Sequence, residues 1–112
     1  MNQNRVLVVD DEPDIRQLIG DILLDEGHQV DTADSVASAR LAMAAFKPDL
    51  ILLDVWLPDG DGVALLQEWQ EHGGTGGAPV VMISGDGATE TAVSALKLGA
   101  YDFLEKPVSL AK

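Results

Sequence analysis

Five short strand-like runs, three of them fully or almost fully apolar, alternate along the chain with segments whose apolar residues recur at helical spacing. Residues 50–54, Leu-Ile-Leu-Leu-Asp, carry four apolar residues in a row. That is too few for a buried helix and suits a strand covered on both faces, as in a parallel sheet. Arg-Val-Leu-Val-Val at 5–9 and Pro79-Val-Val-Met-Ile83 read the same way. Val30 to Ala33 is short and half polar, which suits a sheet edge, and Tyr101 to Leu104 reads as the fifth strand.

The intervening segments carry helix signals. Pro13 fits a first helical turn, where its missing N–H costs nothing. Ile15, Leu18, Ile19, Ile22 and Leu23 then form one apolar stripe, and Gly27 ends the helix. Ser35 is a candidate N-cap for a second helix with Ala39, Ala42, Met43 and Phe46 facing inward, ended by Pro48. A third helix, from about Gly62 to His72, turns Val63, Leu66 and Trp69 inward. Gly73, Gly74, Gly76 and Gly77 make a connection too short to be a domain linker. A small Ala-rich helix follows, with Ala92, Ala95 and Leu96 on one face and Gly99 as its terminator.

Five strands alternating with helices at short spacing predict one α/β domain. Its expected architecture is a doubly wound five-stranded parallel sheet, with right-handed crossovers and helices on both faces. A final helix should cover the face beside the fifth strand, but it is truncated: Lys112 lies about one turn past Pro107. Exposed apolar surface would result, so continuation of the protein beyond residue 112 is expected.

Composition narrows the function classes. No cysteine is present, which excludes a disulfide scaffold, a zinc–thiolate site and a cysteine nucleophile. Nineteen acids against 7 bases give a net charge of −12. Such a surface repels phosphate backbones, so no direct nucleic-acid binding is expected. No signal peptide or membrane-length apolar run is visible, and a cytoplasmic location is the default. His28 and His72 are isolated and expected to face solvent. No P-loop ending, zinc-binding His pair or EF-hand spacing is found.

The candidate chemistry lies at the carboxyl ends of the strands, where open α/β sheets bind ligands. The first strand delivers Asp10 and Asp11, the third Asp54, the fourth Ser84 and the fifth Lys106. Each has a plainer reading: Asp10 or Asp11 as a helix N-cap, Asp54 and Ser84 as turn residues, Lys106 as a solvated surface lysine. Convergence of the whole set on one rim favours chemistry. Crowded carboxylates repel one another, and a Mg²⁺ ion, which takes one or two carboxylates with carbonyl and water oxygens, relieves that. An Asp carboxylate is a competent nucleophile toward phosphorus, and the ion with a lysine can neutralise a phosphoryl group. Ser84 can donate to a phosphoryl oxygen.

Val-Val-Asp-Asp-Glu at 8–12, Leu-Leu-Asp at 52–54 with Pro58 and Asp61-Gly62 behind it, Ile-Ser-Gly at 83–85 and Lys106-Pro107 together resemble the receiver domain of two-component response regulators. The resemblance covers essentially the whole chain, 1–112, and implies a CheY-like fold with strand order 2-1-3-4-5. By position it implies that Asp54 is the phosphoacceptor. Asp10, Asp11 and Asp54 would hold Mg²⁺, with the main-chain carbonyl of Trp56 as a further ligand. Ser84 would be the switch hydroxyl, Lys106 the phosphate-binding lysine and Phe103 the switch aromatic. A sensor histidine kinase is the implied partner.

The stretch from Ile83 to Pro107 is similar, more narrowly, to nitrogen-regulation activators of the NtrC/NtrX type. There a receiver precedes an AAA+ ATPase acting on sigma-54 RNA polymerase and a DNA-binding domain; phosphorylation can drive dimerisation. Neither downstream part is in this chain. The resemblance implies no enzyme beyond self-catalysed phosphorylation and dephosphorylation. Haloacid-dehalogenase-type phosphatases also use an aspartyl phosphate, but need a second Asp two residues after the nucleophile, where this chain has Trp56. A scaffold that binds partners without phosphorylation is the other alternative.

Overall fold

The computed structural model describes residues 4–74, 76–85 and 89–105, with Thr89 described by its backbone alone. The five expected strands are all present: β1 (Arg5–Val9), β2 (Gln29–Ala33), β3 (Leu50–Asp54), β4 (Val80–Ser84) and β5 (Asp102–Glu105). They pair in parallel in the order β2-β1-β3-β4-β5, as expected. The half-polar β2 is one edge and β5 the other. The last two strands run one residue further than expected, so Ser84 and Glu105 close β4 and β5 and pair with each other.

Four helices connect them: α1 (Pro13–Asp25), α2 (Val36–Phe46), α3 (Gly62–Glu71) and α4 (Thr89–Lys97). The stop at Gly27 has a specific form. Gly27, at φ +89°, lets its N–H reach the Leu24 carbonyl and that of His28 reach Leu23, closing α1 with a Schellman pattern. Ser35 caps α2 as expected, accepting from the Ser38 amide while the Ser38 hydroxyl accepts from that of Ser35.

Strand residues alternate between two apolar clusters. Leu7, Val9, Ile51, Leu53, Val80 and Met82 join α2, α3 and α4 residues in the larger cluster. Val6, Val8, Leu52 and Ile83 meet Ile15, Ile19 and Leu23 of α1 on the opposite face. Helices therefore lie on both faces, with α1 the helix packed on the second face among the described residues. The truncated final helix would fall in 106–112, outside the described residues.

Several side-chain expectations need correction. Leu96 is exposed, because α4 seats only its small Ala92 and Ala95 against the sheet. Leu65, not singled out from the periodicity, is fully buried beside Leu66. His28 is half buried and accepts the Asn4 N–H at Nδ1, 3.2 Å; His72 is exposed. No helix among the described residues is long and apolar enough to cross a membrane.

The segment after β3, expected to be a simple turn, contains a short antiparallel ribbon. Trp56–Leu57 pairs with Gly60–Asp61, leaving Pro58 and Asp59 at the tip. Leu57 is buried in the larger cluster and anchors the ribbon to the core.

Candidate functional site

Parallel register brings the site together. Val9 pairs with Leu53 and Asp54 with Ile83, so the residues leaving β1, β3 and β4 emerge side by side. Asp10 donates its N–H to Ala33 O at 3.0 Å, and Val55 donates to Ile83 O at 3.0 Å, carrying the sheet bonding to the rim. The carboxylate oxygens of Asp10, Asp11 and Asp54 gather within 4.8 Å of one another. Asp10 and Asp54 are buried, whereas Asp11 is exposed.

Burying carboxylates is costly without compensating polar partners. Asp10 Oδ1 accepts from the Glu12 N–H at 2.9 Å, and Arg16 Nη1 donates to the Asp10 main-chain oxygen at 2.7 Å. Neither Asp10 nor Asp11 is the N-cap of α1; Glu12 occupies that position. All three donors are hard carboxylate oxygens, with no sulfur or imidazole among them. Such a set suits Mg²⁺ or another hard divalent ion.

The other sequence candidates lie around this cluster or beyond the described residues. Ser84, next to the residue paired with Asp54, is buried and donates from Oγ to the Leu104 carbonyl at 3.4 Å, a long bond. Phe103 is half buried against the larger core cluster. Trp56 opens the ribbon two residues after Asp54, pairs with Asp61 and leaves its indole half exposed. Lys106 lies outside the described residues.

The ribbon is tied down at several points. Gly62 donates its N–H to Val55 O at 2.6 Å and packs against the Asp54 backbone. Asp61 N-caps α3, accepting from the Ala64 N–H at 2.7 Å. Asp59 reaches across to α2, where Oδ1 accepts from Val36 N–H at 2.7 Å and Oδ2 from Ala37 N–H at 3.0 Å. These two amides hold the Asp59 carboxyl below the usual aspartate range, with a smaller contribution from Arg40. Arg40 of α2 also forks onto Glu68 of α3, at 2.7 and 2.8 Å. The pairing lowers the Glu68 carboxyl and raises the Arg40 guanidinium from their ordinary values.

Sequence reasoning missed Arg16 and the reach of Asp59. Arg16 stands at the border of the apolar stripe of α1 and, as a charged residue, reads as an ordinary surface residue. Pro58-Asp59-Gly60 reads as turn chemistry, and nothing local signals a bond to residues 22 and 23 positions earlier.

Known proteins place this arrangement. Residues 6–112 match the response regulator receiver domain family. The chain is 51% identical over 105 residues to the nitrogen assimilation regulatory protein NtrX of Azorhizobium caulinodans, across 91% of this chain and 22% of that protein. It is 44% identical over 113 aligned positions to the response regulator protein PilR of Pseudomonas aeruginosa, across 100% of this chain and 25% of PilR. The chain thus spans about a quarter of the length of these curated relatives. The crystal structure of the receiver domain of NtrX from Brucella abortus superposes with a TM-score of 0.84 at 52% identity, covering 93% of this chain and 87% of that one. A match running from the first buried strand to the final residue, with relatives about half identical to it, leaves one assignment: the chain belongs to the response regulator receiver domain family.

Proposed function

We propose that this chain is the phosphoacceptor module of a two-component system, with Asp54 as the acceptor. The observation that carries the reading is the gathering of the Asp10, Asp11 and Asp54 oxygens within 4.8 Å at the carboxyl ends of parallel strands. Asp10, Asp11, Asp54 and the Trp56 carbonyl would hold Mg²⁺. When bound, the ion offsets the charge of the carboxylates and of the incoming phosphoryl oxygens.

A sensor histidine kinase supplies the phosphoryl group. An Asp54 oxygen forms the new P–O bond as the P–N bond of the phosphohistidine breaks, and the imidazole nitrogen keeps the electron pair. Burial of Asp54 limits competing reactions with water. Lys106 would pair with the phosphoryl charge. The Ser84 hydroxyl would exchange its long bond to Leu104 O for a bond to a phosphoryl oxygen. That frees the strand carrying Phe103, whose half-buried ring turns inward. The change is read on α4, β5 and the connection between them, where Val93, Leu96, Tyr101 and Leu104 present exposed apolar surface.

Similarity to NtrX and PilR extends the proposal. The full protein carries a sigma-54-directed AAA+ ATPase and a DNA-binding domain, works in the cytoplasm and pairs with a second copy on phosphorylation. The receiver itself is no enzyme toward other substrates. Acetyl phosphate with Mg²⁺ provides the test: wild type takes up label, and Asp54→Asn takes up none. Persistent labelling of Asp54→Asn would show the acceptor to be elsewhere.

A further inference from the structure

The ribbon that follows Asp54 carries Trp56 past the acidic rim, yet its tip is held by a helix distant in sequence. Asp59 stands at that tip, between the paired Leu57 and Gly60. Its two carboxylate oxygens divide between two amides, Val36 N–H at 2.7 Å and Ala37 N–H at 3.0 Å. A helix N-terminus leaves four amides without intrahelical partners. In α2 the Ser35–Ser38 capping box already satisfies two of them, those of Ser35 and Ser38. The two that remain are the ones Asp59 takes. A fork bonded at both prongs sets orientation as well as distance, so the ribbon is fixed to α2 in one pose. Leu57 in the core and Gly60, where an added Cβ would stand 3.3 Å from Val36 Cγ2, keep the same contact tight.

From this geometry we propose that Asp59 is a positioning residue for the acidic pocket, its fork on Val36 and Ala37 setting where the Trp56 main chain lies beside Asp54. The proposal rests on the reading of Asp10, Asp11 and Asp54 as a Mg²⁺ pocket. Asp59 touches neither ion nor phosphoryl group; it acts through the ribbon.

The test is a Mg²⁺ titration of the chain followed by Trp56 fluorescence, with Trp56→Phe identifying the signal and equilibrium dialysis as a second measure. Asp59→Ala should weaken Mg²⁺ binding about tenfold, the low end of what losing an outer-shell partner costs a metal site. Asp59→Asn keeps an acceptor oxygen without the charge and should fall between wild type and Asp59→Ala. Ser35→Ala removes the other cap of α2 without touching the ribbon and should bind Mg²⁺ as wild type does. Wild-type affinity in Asp59→Ala would overturn the proposal. So would Ser35→Ala as weak as Asp59→Ala, which would reduce the effect to loosening of α2. Wild type that binds no Mg²⁺ by dialysis would overturn the pocket itself, and this inference with it.

Discussion

Gly62 offers the sharpest test of how the fold supports Asp54. A Cβ added there would fall inside contact distance of the Asp54 carbonyl oxygen and stand 3.1 Å from both the Asp54 carbonyl carbon and Leu53 Cγ. Carbon atoms pack best at about 3.5–4.0 Å, so the two carbons alone must each give about half an ångström. None of these atoms can swing aside: they belong to a central strand and to a fully buried leucine. Overpacking of this kind costs about 1–3 kcal/mol, and the better helix propensity of Ala returns less than about 1 kcal/mol. Gly62→Ala should therefore lose about 2 kcal/mol, or about 8 °C in Tm at about 4 °C per kcal/mol. Because part of the relief must come from Asp54 itself, a displacement near 1 Å should also slow acetyl phosphate labelling by about 10²-fold. Gly60→Ala is the control. Its Cβ would meet only the Val36 Cγ2 methyl, at 3.3 Å, which has to give by a few tenths of an ångström, and should cost about 1 kcal/mol, the low end of overpacking. Thermal unfolding and a labelling time course measure both effects. A Gly62→Ala chain as stable and as quickly labelled as Gly60→Ala would refute the steric argument.

Two further outcomes follow from the core and the charges. Met82 is fully buried in the larger cluster, so Met82→Ala should lose about 2–5 kcal/mol, seen as a lower urea midpoint at unchanged slope. Asp59 and Glu68 both have folded-state values below the ordinary 3.8 and 4.5. Their contribution is complete above those ordinary values and is lost as pH falls through the lowered folded ones. Urea midpoints measured from pH 5 downward should therefore decline less steeply in Asp59→Asn or Glu68→Gln than in wild type. Equal slopes would remove both groups from the acid transition.

Much of this protein is written locally. Apolar runs at 5–9, 50–54 and 79–83 suit strands covered on both faces, and the stripe from Ile15 to Leu23 suits a helix with one buried side. The rim where Asp10, Asp54 and Ser84 emerge follows, because parallel strands joined by right-handed crossovers bring all carboxyl ends to one edge, whereas the strand order was implied only by the resemblance to receiver domains. Leu96 and Leu65 were misjudged for a common reason. Periodicity locates a helical stripe but not its angular centre, which the packing of Ala92, Ala95, Leu66 and Trp69 decides.

Tertiary structure alone decided the contacts between separate elements. Asp59 on the α2 amides, Arg40 on Glu68, Arg16 on the Asp10 carbonyl and the fit of Gly62 against Asp54 leave no periodic signal. Each depends on where two separately specified elements meet, and hydrogen-bond length and Cβ clearance are set by that meeting. The chain's local pattern determined which residues reach the rim; the packed fold determined how firmly they are held there.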